Sequence, residues 1–472
     1  MPLINVRIAP VFLLAAALSA VASAGRDTAS DQLDTYMKEQ LGKKRSPSYS
    51  VAVVKDGKVV YAKGFGFADL ENDVPAAPET VYRIGSITKQ FTATMIMQLV
   101  VEGKLKLDDP FSKTLPDTPK TWDKVTVRQL LNHTSGIKSY TEVKDLFTGE
   151  AMKGTSPAGI LKTVEKDPMD FEPGSKWHYN NTGYELLGML IEKLDERTYA
   201  ASLKARILDP LDMKNTFFTS EKALIKRRAQ GYSLGKAGFE HASYLNMDWP
   251  YAAGSMESTV LDLAKWDAAL YGDKILPQSA LKQMWTPTKL TDGKMERYGF
   301  GWQVGAMNEV PIVEHGGGIH GFTTFIRRAP SKGLTVIVLT NTDGPSDPSG
   351  IARTAMGIVE PTLKAAAVST IEDKNPAATA FAKSTLQLVL DGKLDRTKLT
   401  PDFSKALSPE MEKGAQESLG SLGKLEKFEL VKEEVKDDVT WRTYRIVLGS
   451  TELKYDIALT AKGLISGLGV HQ

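Results

Sequence analysis

The spacing of apolar and polar residues changes period along this chain. Leu33, Tyr36, Met37 and Leu41 fall on one helical face and Gly42 offers a stop, which predicts a first helix. Residues 49–55 and 59–67 are β-rich runs on either side of Asp56-Gly57, the pattern of two strands joined by a tight turn. From Ser86 to about Leu270, helical patterns alternate with loops. Strand patterns return at 298–304, 311–315, 321–328 and 334–340, the last pair joined across Pro330-Ser331-Lys332-Gly333, and a helical run from about 350 to 366 follows. Strands at both ends with helices between and outside predict an α+β unit: one antiparallel sheet flanked by helices and carrying a helical insertion.

The character changes at 366–376, a polar stretch with Asp373 and Pro376, and a domain boundary is placed there, giving units 25–368 and 369–472. The tail shows helical runs near 377–391 and 408–420, then strand patterns at 424–434, 439–448, 452–459 and 463–470, with Asp437-Asp438, Gly449-Ser450 and Lys462-Gly463 as turns. In element order this small α+β unit resembles the cystatin-like cone of nuclear-transport-factor-type domains.

Charge narrows the choice of partners. The 59 basic and 57 acidic residues are interleaved and leave a net charge of +2, which argues against nucleic acid or an anionic membrane surface. Residues 1–24 have the plan of a secretory signal: Arg7, an apolar stretch from Ile8 to Leu18, and Ala22-Ser23-Ala24 as a cleavage site. The apolar stretch falls short of the roughly 20 residues of a transmembrane helix. The expected product is an exported protein, periplasmic or secreted, without a stable membrane anchor. There are no cysteines, so neither disulfides nor a thiolate nucleophile enter the chemistry. The six histidines are scattered without an H-E-x-x-H pattern, so no metal or other cofactor is expected.

Three patterns carry chemistry. Ser86-Ile87-Thr88-Lys89 puts a serine and a lysine one helical turn apart. The spacing recurs at Ser135/Lys138, Ser233/Lys236, Ser279/Lys282 and Ser421/Lys424, but Ser86 is set apart by Gly85 before it and by a helical run after it, with Phe91, Met95 and Leu99 down one face. A serine there meets unpaired backbone N–H groups, and a buried lysine beside it is able to take its proton. Tyr179-Asn180-Asn181 lies in a loop ahead of a helix, with Thr182 and Glu185 spaced as a capping box. A phenol beside lysine is a candidate general base with a lowered pKa, and an asparagine amide a candidate to orient a carbonyl. His315-Gly316-Gly317-Gly318 ends a strand pattern, where glycines admit a substrate backbone and leave N–H groups open.

Taken in order, S-x-x-K, Y-x-N and H-x-G resemble the active-site triplet of class C β-lactamases and their penicillin-binding, peptidase and esterase relatives. Tyr82-Arg83-Ile84-Gly85, Leu130 to Ile137, Gly254 to Asp262 and Tyr298 to Trp302 extend the resemblance over residues 30 to 365. It implies Ser86 as acylated nucleophile and Lys89 and Tyr179 as its proton partners. It further implies an oxyanion hole from the N–H groups of Ser86 and Gly318, and substrate contacts from Asn181, His315, Gly316 and Gly317. Where β-lactamases of this family carry lysine the chain has His315, which is charged only when protonated. That departure favours peptidase, D-amino-acid amidase, carboxypeptidase or esterase activity on a small molecule or a peptide, with a peptidoglycan-derived peptide among the expected partners, over β-lactam hydrolysis. A slowly deacylating penicillin- or peptide-binding protein is the non-catalytic alternative. An α/β-hydrolase is disfavoured because its G-x-S-x-G match, Gly231 to Gly235, follows a polar run rather than a strand.

Overall fold

The computed structural model describes residues 29–219, 222–364, 369–420, 422–449 and 451–471; the signal-like segment 1–24 lies outside the described residues. The chain divides into two compact units, with the division after Lys364.

The first unit is built on a seven-stranded antiparallel sheet. Its strands are β1 (Ser48–Lys55), β2 (Lys58–Asp69), β3 (Val74–Pro75), β4 (Gln303–Met307), β5 (Val310–Ile319), β6 (Phe322–Ala329) and β7 (Leu334–Thr340), in the order β4-β5-β6-β7-β1-β2-β3. Pairing of β1 with β7, Val51 opposite Val338 and Ala52 opposite Ile337, joins the two ends of the unit at the centre of the sheet. Both strands are buried on both faces, which is why each reads as a nearly continuous apolar run.

Successive side chains on these strands enter two separate cores, as a period of two requires. Val51, Val53, Val336 and Val338 pack under Leu33 and Met37 of helix α1 (29–42) and Ile351, Ala355 and Met356 of the later helix Pro348–Val359. Ala52, Val54, Ile337 and Leu339 face the helical insertion. The insertion contains α2 (Thr88–Val101), α3 (Val127–Leu131), α4 (Asn181–Asp195), α5 (Tyr199–Leu203), α6 (Tyr251–Gly254) and α7 (Val260–Ala269). Pro348–Val359 is α8; it stops short of the expected 366 because Pro361 opens a separate 3₁₀ turn.

Two expected elements are corrected. The strand expected at 298–304 begins only at Gln303, and Tyr298 to Trp302 form a tight loop. Gly301, at φ 74°, lies so near α2 that a Cβ there would stand 2.7 Å from the Lys89 carbonyl oxygen. Tyr298 thereby turns inward instead of alternating along a strand. The His315-Gly318 run does not end a strand either: β5 continues through it to Ile319, with Gly318 opposite Thr323, and the turn falls at Gly321, φ 80°.

In the second unit a four-stranded meander, β8 (Leu425–Lys436), β9 (Val439–Leu448), β10 (Thr451–Thr460) and β11 (Ile465–His471), carries α9 (Pro376–Leu390), α10 (Pro401–Ala406) and α11 (Pro409–Gly420). The short α10 is additional to the two helices expected. Asp437 and Asp438 both take positive φ, as a two-residue hairpin turn demands. Leu386, Tyr444, Ile446 and Ile457 form the core of this unit, and an apolar cavity of about 530 Å³ lies beside it, lined by Leu386, Phe403, Leu419 and Tyr455 among others.

Candidate active site

The site begins with a strained approach to α2. Tyr82–Arg83 pairs with Met256–Ser258, Gly85 then adopts φ 51°, and Gly85–Ile87 makes one 3₁₀ turn before α2 starts at Thr88. Glycine is required at 85 for its backbone and for its neighbour: an added Cβ would stand 3.0 Å from the Gly318 nitrogen. At Gly317 an added Cβ would stand 2.0 Å from the Ile84 carbonyl oxygen. These glycines let β5 lie flush against the segment that presents Ser86, and the Thr324 hydroxyl, 3.0 Å from the Ile84 carbonyl, ties the two together.

Lys89 is fully buried one turn beyond Ser86. Its Nζ lies 3.1 Å from Ser86 Oγ, 2.8 Å from Asn181 Oδ1 and 2.8 Å from the Ala253 carbonyl oxygen. The last two oxygens only accept, whereas the serine hydroxyl is able to donate. A neutral amine therefore gives its two N–H bonds to Asn181 and Ala253 and turns its lone pair toward Ser86. Burial pulls the Lys89 pKa down to about 7, against an upward pull from Glu185.

The second motif is fixed by Asn180. Its side chain caps α4, accepting from Gly183 N–H and donating to the Ile137 carbonyl, while its own backbone N–H donates to His133 Nδ1. Asn181 donates from Nδ2 to Thr141 Oγ1, which sets its Oδ1 toward Lys89. The capping box expected from Thr182 and Glu185 is not formed: Thr182 lies inside the helix, its hydroxyl bonded to the Lys138 carbonyl and the Tyr140 N–H, and the Glu185 carboxyl is buried. Competition from the better cap two residues earlier, Asn180, explains the difference.

Tyr179 packs its ring 4.8 Å from Lys89 Nζ. Its hydroxyl is buried without a partner of good geometry, and burial raises its pKa well above that of a free phenol despite the favourable effect of Ser86. The expected lowering is thus reversed, because desolvation outweighs the lowering effect of Ser86.

His315 is buried behind this group, its ring 6.2 Å from that of Tyr179. Its Nδ1 lies 2.6 Å from the Gly316 carbonyl, which can only accept, so Nδ1 carries the proton and Nε2 accepts from the Tyr298 hydroxyl at 2.8 Å. Burial, followed by the Lys89 charge, brings its pKa down to about 3. At neutral pH His315 therefore supplies no positive charge.

The cleft in front of Ser86 has a volume of about 140 Å³. Asn181 and Gly318 line it with Ser86; Tyr140, Phe147, Leu245, Pro250 and Ile319 make its wall apolar. Among the described residues lining it there is no lysine or arginine, and His320 is the sole imidazole. His315, Gly316 and Gly317 are not among the residues that line it.

Three groups escaped the sequence reading. His133, buried at φ 63°, lies 4.4 Å ring to ring from Tyr179; Tyr298 fixes the His315 tautomer; and Glu185 sits buried beyond Lys89. His133 and Tyr298 fell inside recognised stretches, but nothing in their spacing marks them as inward-facing. As to metals, Glu142, Asp170 and His178 converge on the surface, with the Lys138 ammonium already paired to both carboxylates.

A serine and a lysine on one helical turn, an asparagine and tyrosine ahead of a second helix, and a glycine-lined strand edge beside the serine define a transpeptidase-type serine hydrolase fold. The chain belongs to the Beta-lactamase family, whose sequence model matches residues 33–359. It is 31% identical over 317 residues to Protein flp of Staphylococcus aureus, covering 66% of this chain and 62% of that protein, so it spans less than two thirds of this relative. Penicillin-binding protein 4* of Bacillus subtilis is 28% identical over 333 residues, 64% of this chain and 70% of that one. Among solved structures, the octameric penicillin-binding protein homologue of Pyrococcus abyssi aligns with a TM-score of 0.62 at 27% identity, over 94% of this chain and 99% of that one. The D-amino acid amidase of Ochrobactrum anthropi aligns with a TM-score of 0.60 at 27% identity, over 71% and 96%.

Proposed function

We propose that this protein hydrolyses amide or ester bonds through an acyl-enzyme on Ser86, in the manner of the amidase and esterase members of its family, on substrates whose acyl group carries an apolar side chain. The observation that carries the reading is the Lys89 amine, buried, with two of its contacts on obligate acceptors and the third on the Ser86 hydroxyl.

In the first half-reaction Lys89 takes the hydroxyl proton as Ser86 Oγ bonds to the substrate carbonyl carbon. The resulting oxyanion is held by the N–H groups of Ser86 and Gly318. The bond to the leaving nitrogen or oxygen then breaks, and that atom receives the proton from Lys89 through Tyr179. Since burial keeps Tyr179 a phenol at rest, its role is relay rather than resting base. In the second half-reaction water adds to the acyl ester, its proton passes to Lys89, and the acid leaves as the proton returns to Ser86 Oγ. Asn181 orients the substrate carbonyl group, and the tautomer-locked His315 packs Tyr179 in place.

The neutral His315 and the absence of lysine or arginine among the described lining residues support substrates that need no carboxylate receptor. The relation to a D-amino acid amidase and to penicillin-binding proteins supports amino acid amides and short peptides, including peptidoglycan-derived ones, as the class to screen. Export through residues 1–24 belongs to the same reading and is checked by the N-terminus of protein recovered outside the cytoplasm. Its activity is tested with D- and L-amino acid amides, p-nitrophenyl esters and a chromogenic cephalosporin. Turnover of amides or esters, lost in Ser86→Ala, is expected, with the cephalosporin hydrolysed at least a hundredfold more slowly; efficient cephalosporin turnover would overturn the substrate assignment.

A further inference from the structure

Glu185 is a carboxyl in a place where a carboxyl is expensive. It is fully buried, neither of its oxygens has a hydrogen-bond partner of good geometry, and the backbone of Ala253 is the only hydrogen-bonding group that draws its pKa down. A buried acid of this kind costs folding free energy and is retained only where something offsets it. It stands four residues after Asn181 on α4, so the two side chains share a helix face, and Asn181 is the residue whose Oδ1 holds Lys89. α4 packs against α2, which carries Lys89, and against α6, whose Ala253 carbonyl holds the same amine.

The groups around Glu185 leave Lys89 as its partner in charge. Tyr140, Tyr199 on α5 and Tyr251 on α6 feel the carboxyl, and burial keeps all three as phenols. On α3, Arg128 turns outward to Asp108. Glu192, further along α4, acts on Tyr251. On the other side, His133 and His315 face Lys89, and burial holds both imidazoles neutral. Glu185 is the one carboxyl among the described residues that acts on Lys89, and burial draws its own pKa well above the usual carboxylate range.

We propose that Glu185 is a positioning residue for acyl transfer, a buried counter-charge that holds the Lys89 proton and so sets the pH range over which Ser86 is acylated. This rests on the hydrolase reading above. Burial pushes the carboxyl up and the amine down while each charge draws the other back, so the two titrate together. Removing the carboxylate leaves the Lys89 ammonium without compensation, and the amine then frees its lone pair at lower pH.

The test uses the full chain and the rate of covalent labelling by a fluorophosphonate from pH 5 to 10. Glu185→Gln is expected to move the acid limb of that profile down by about one pH unit or more, the effect of losing a buried opposite charge. Glu185→Asp, which keeps the charge, is expected to stay near the wild-type midpoint. Glu185→Met, of similar volume, repeats the neutral substitution should the glutamine variant fold poorly. A neutral variant that labels with the wild-type midpoint overturns the inference, even if its rate is reduced throughout, because a merely structural role changes the rate and not the midpoint. Labelling that persists in Ser86→Ala would instead overturn the hydrolase reading, whatever Glu185 does.

Discussion

Gly317→Ala tests whether the close approach of β5 to the nucleophile segment matters. A Cβ at 317 would meet the Ile84 carbonyl oxygen at 2.0 Å and Thr324 Oγ1 at 2.3 Å. Ordinary contact begins near 3.4 Å, so the strand must retreat by about 1.4 Å or the segment before Ser86 must yield. The Ile84 oxygen is backbone, flanked by Gly85 at positive φ, and the next N–H along the strand is that of Gly318. Displacement of about 1 Å at a reacting centre costs roughly a hundredfold in rate, and loss of one oxyanion donor a hundred- to a thousandfold. The variant should therefore acylate 10²- to 10³-fold more slowly in a single-turnover p-nitrophenyl ester assay, while urea unfolding shows a folded protein. Gly42→Ala, where an added Cβ meets nothing within 4 Å, is the control and should leave the acylation rate unchanged. A Gly317→Ala enzyme within threefold of wild type would refute the placement of β5.

Three further expectations follow from the same structure. The acylation rate should rise with pH through a midpoint near 7, since Lys89 must lose its proton to act, and should fall about tenfold per unit well below that; stopped-flow ester cleavage across pH 5–9 measures it. Asp267→Asn should destabilise the first unit by about 3–5 kcal/mol in urea unfolding, because Asp267 pairs with the fully buried Arg328 and leaving that guanidinium uncompensated is costly. Asn180→Ala should cost about 0.5–2 kcal/mol through loss of the α4 cap and lower the acylation rate as well, since the same residue steadies Asn181; the pair of effects is read by unfolding and by ester turnover.

The motifs were legible because each needs a specific residue at a fixed backbone position. Gly85 must take positive φ ahead of Ser86, Asn180 caps the helix behind Tyr179, and the glycines of β5 admit close contact; such demands leave a mark in the sequence. The sequence pattern likewise gave β1, β2, β6 and β7 close to their observed bounds, because β1, β6 and β7 are buried on both faces and show as apolar runs, and the Asp56-Gly57 turn marks the start of β2. What stayed hidden depends on inward rotation rather than spacing. Tyr298 lies in a stretch with strand-like composition, yet Gly299 and Gly301 press the backbone against Met284 and Lys89 and turn the ring toward His315. Glu185 looked like a capping-box partner because its spacing from Thr182 fits one, and only the third dimension shows it inside the protein. The protonation of Tyr179 and His315 is set by burial, which residue order alone does not encode.

The most direct test of acyl transfer through Ser86 is to quench the enzyme during steady-state turnover of a p-nitrophenyl ester and locate the acyl group by mass spectrometry of tryptic fragments. Ser86 falls in the fragment Ile84 to Lys89, bounded by Arg83 and Lys89. Acyl mass on that fragment, appearing with the burst of nitrophenol and absent in Ser86→Ala, is the result expected here. Turnover with that fragment unmodified and the acyl group on another residue would contradict it.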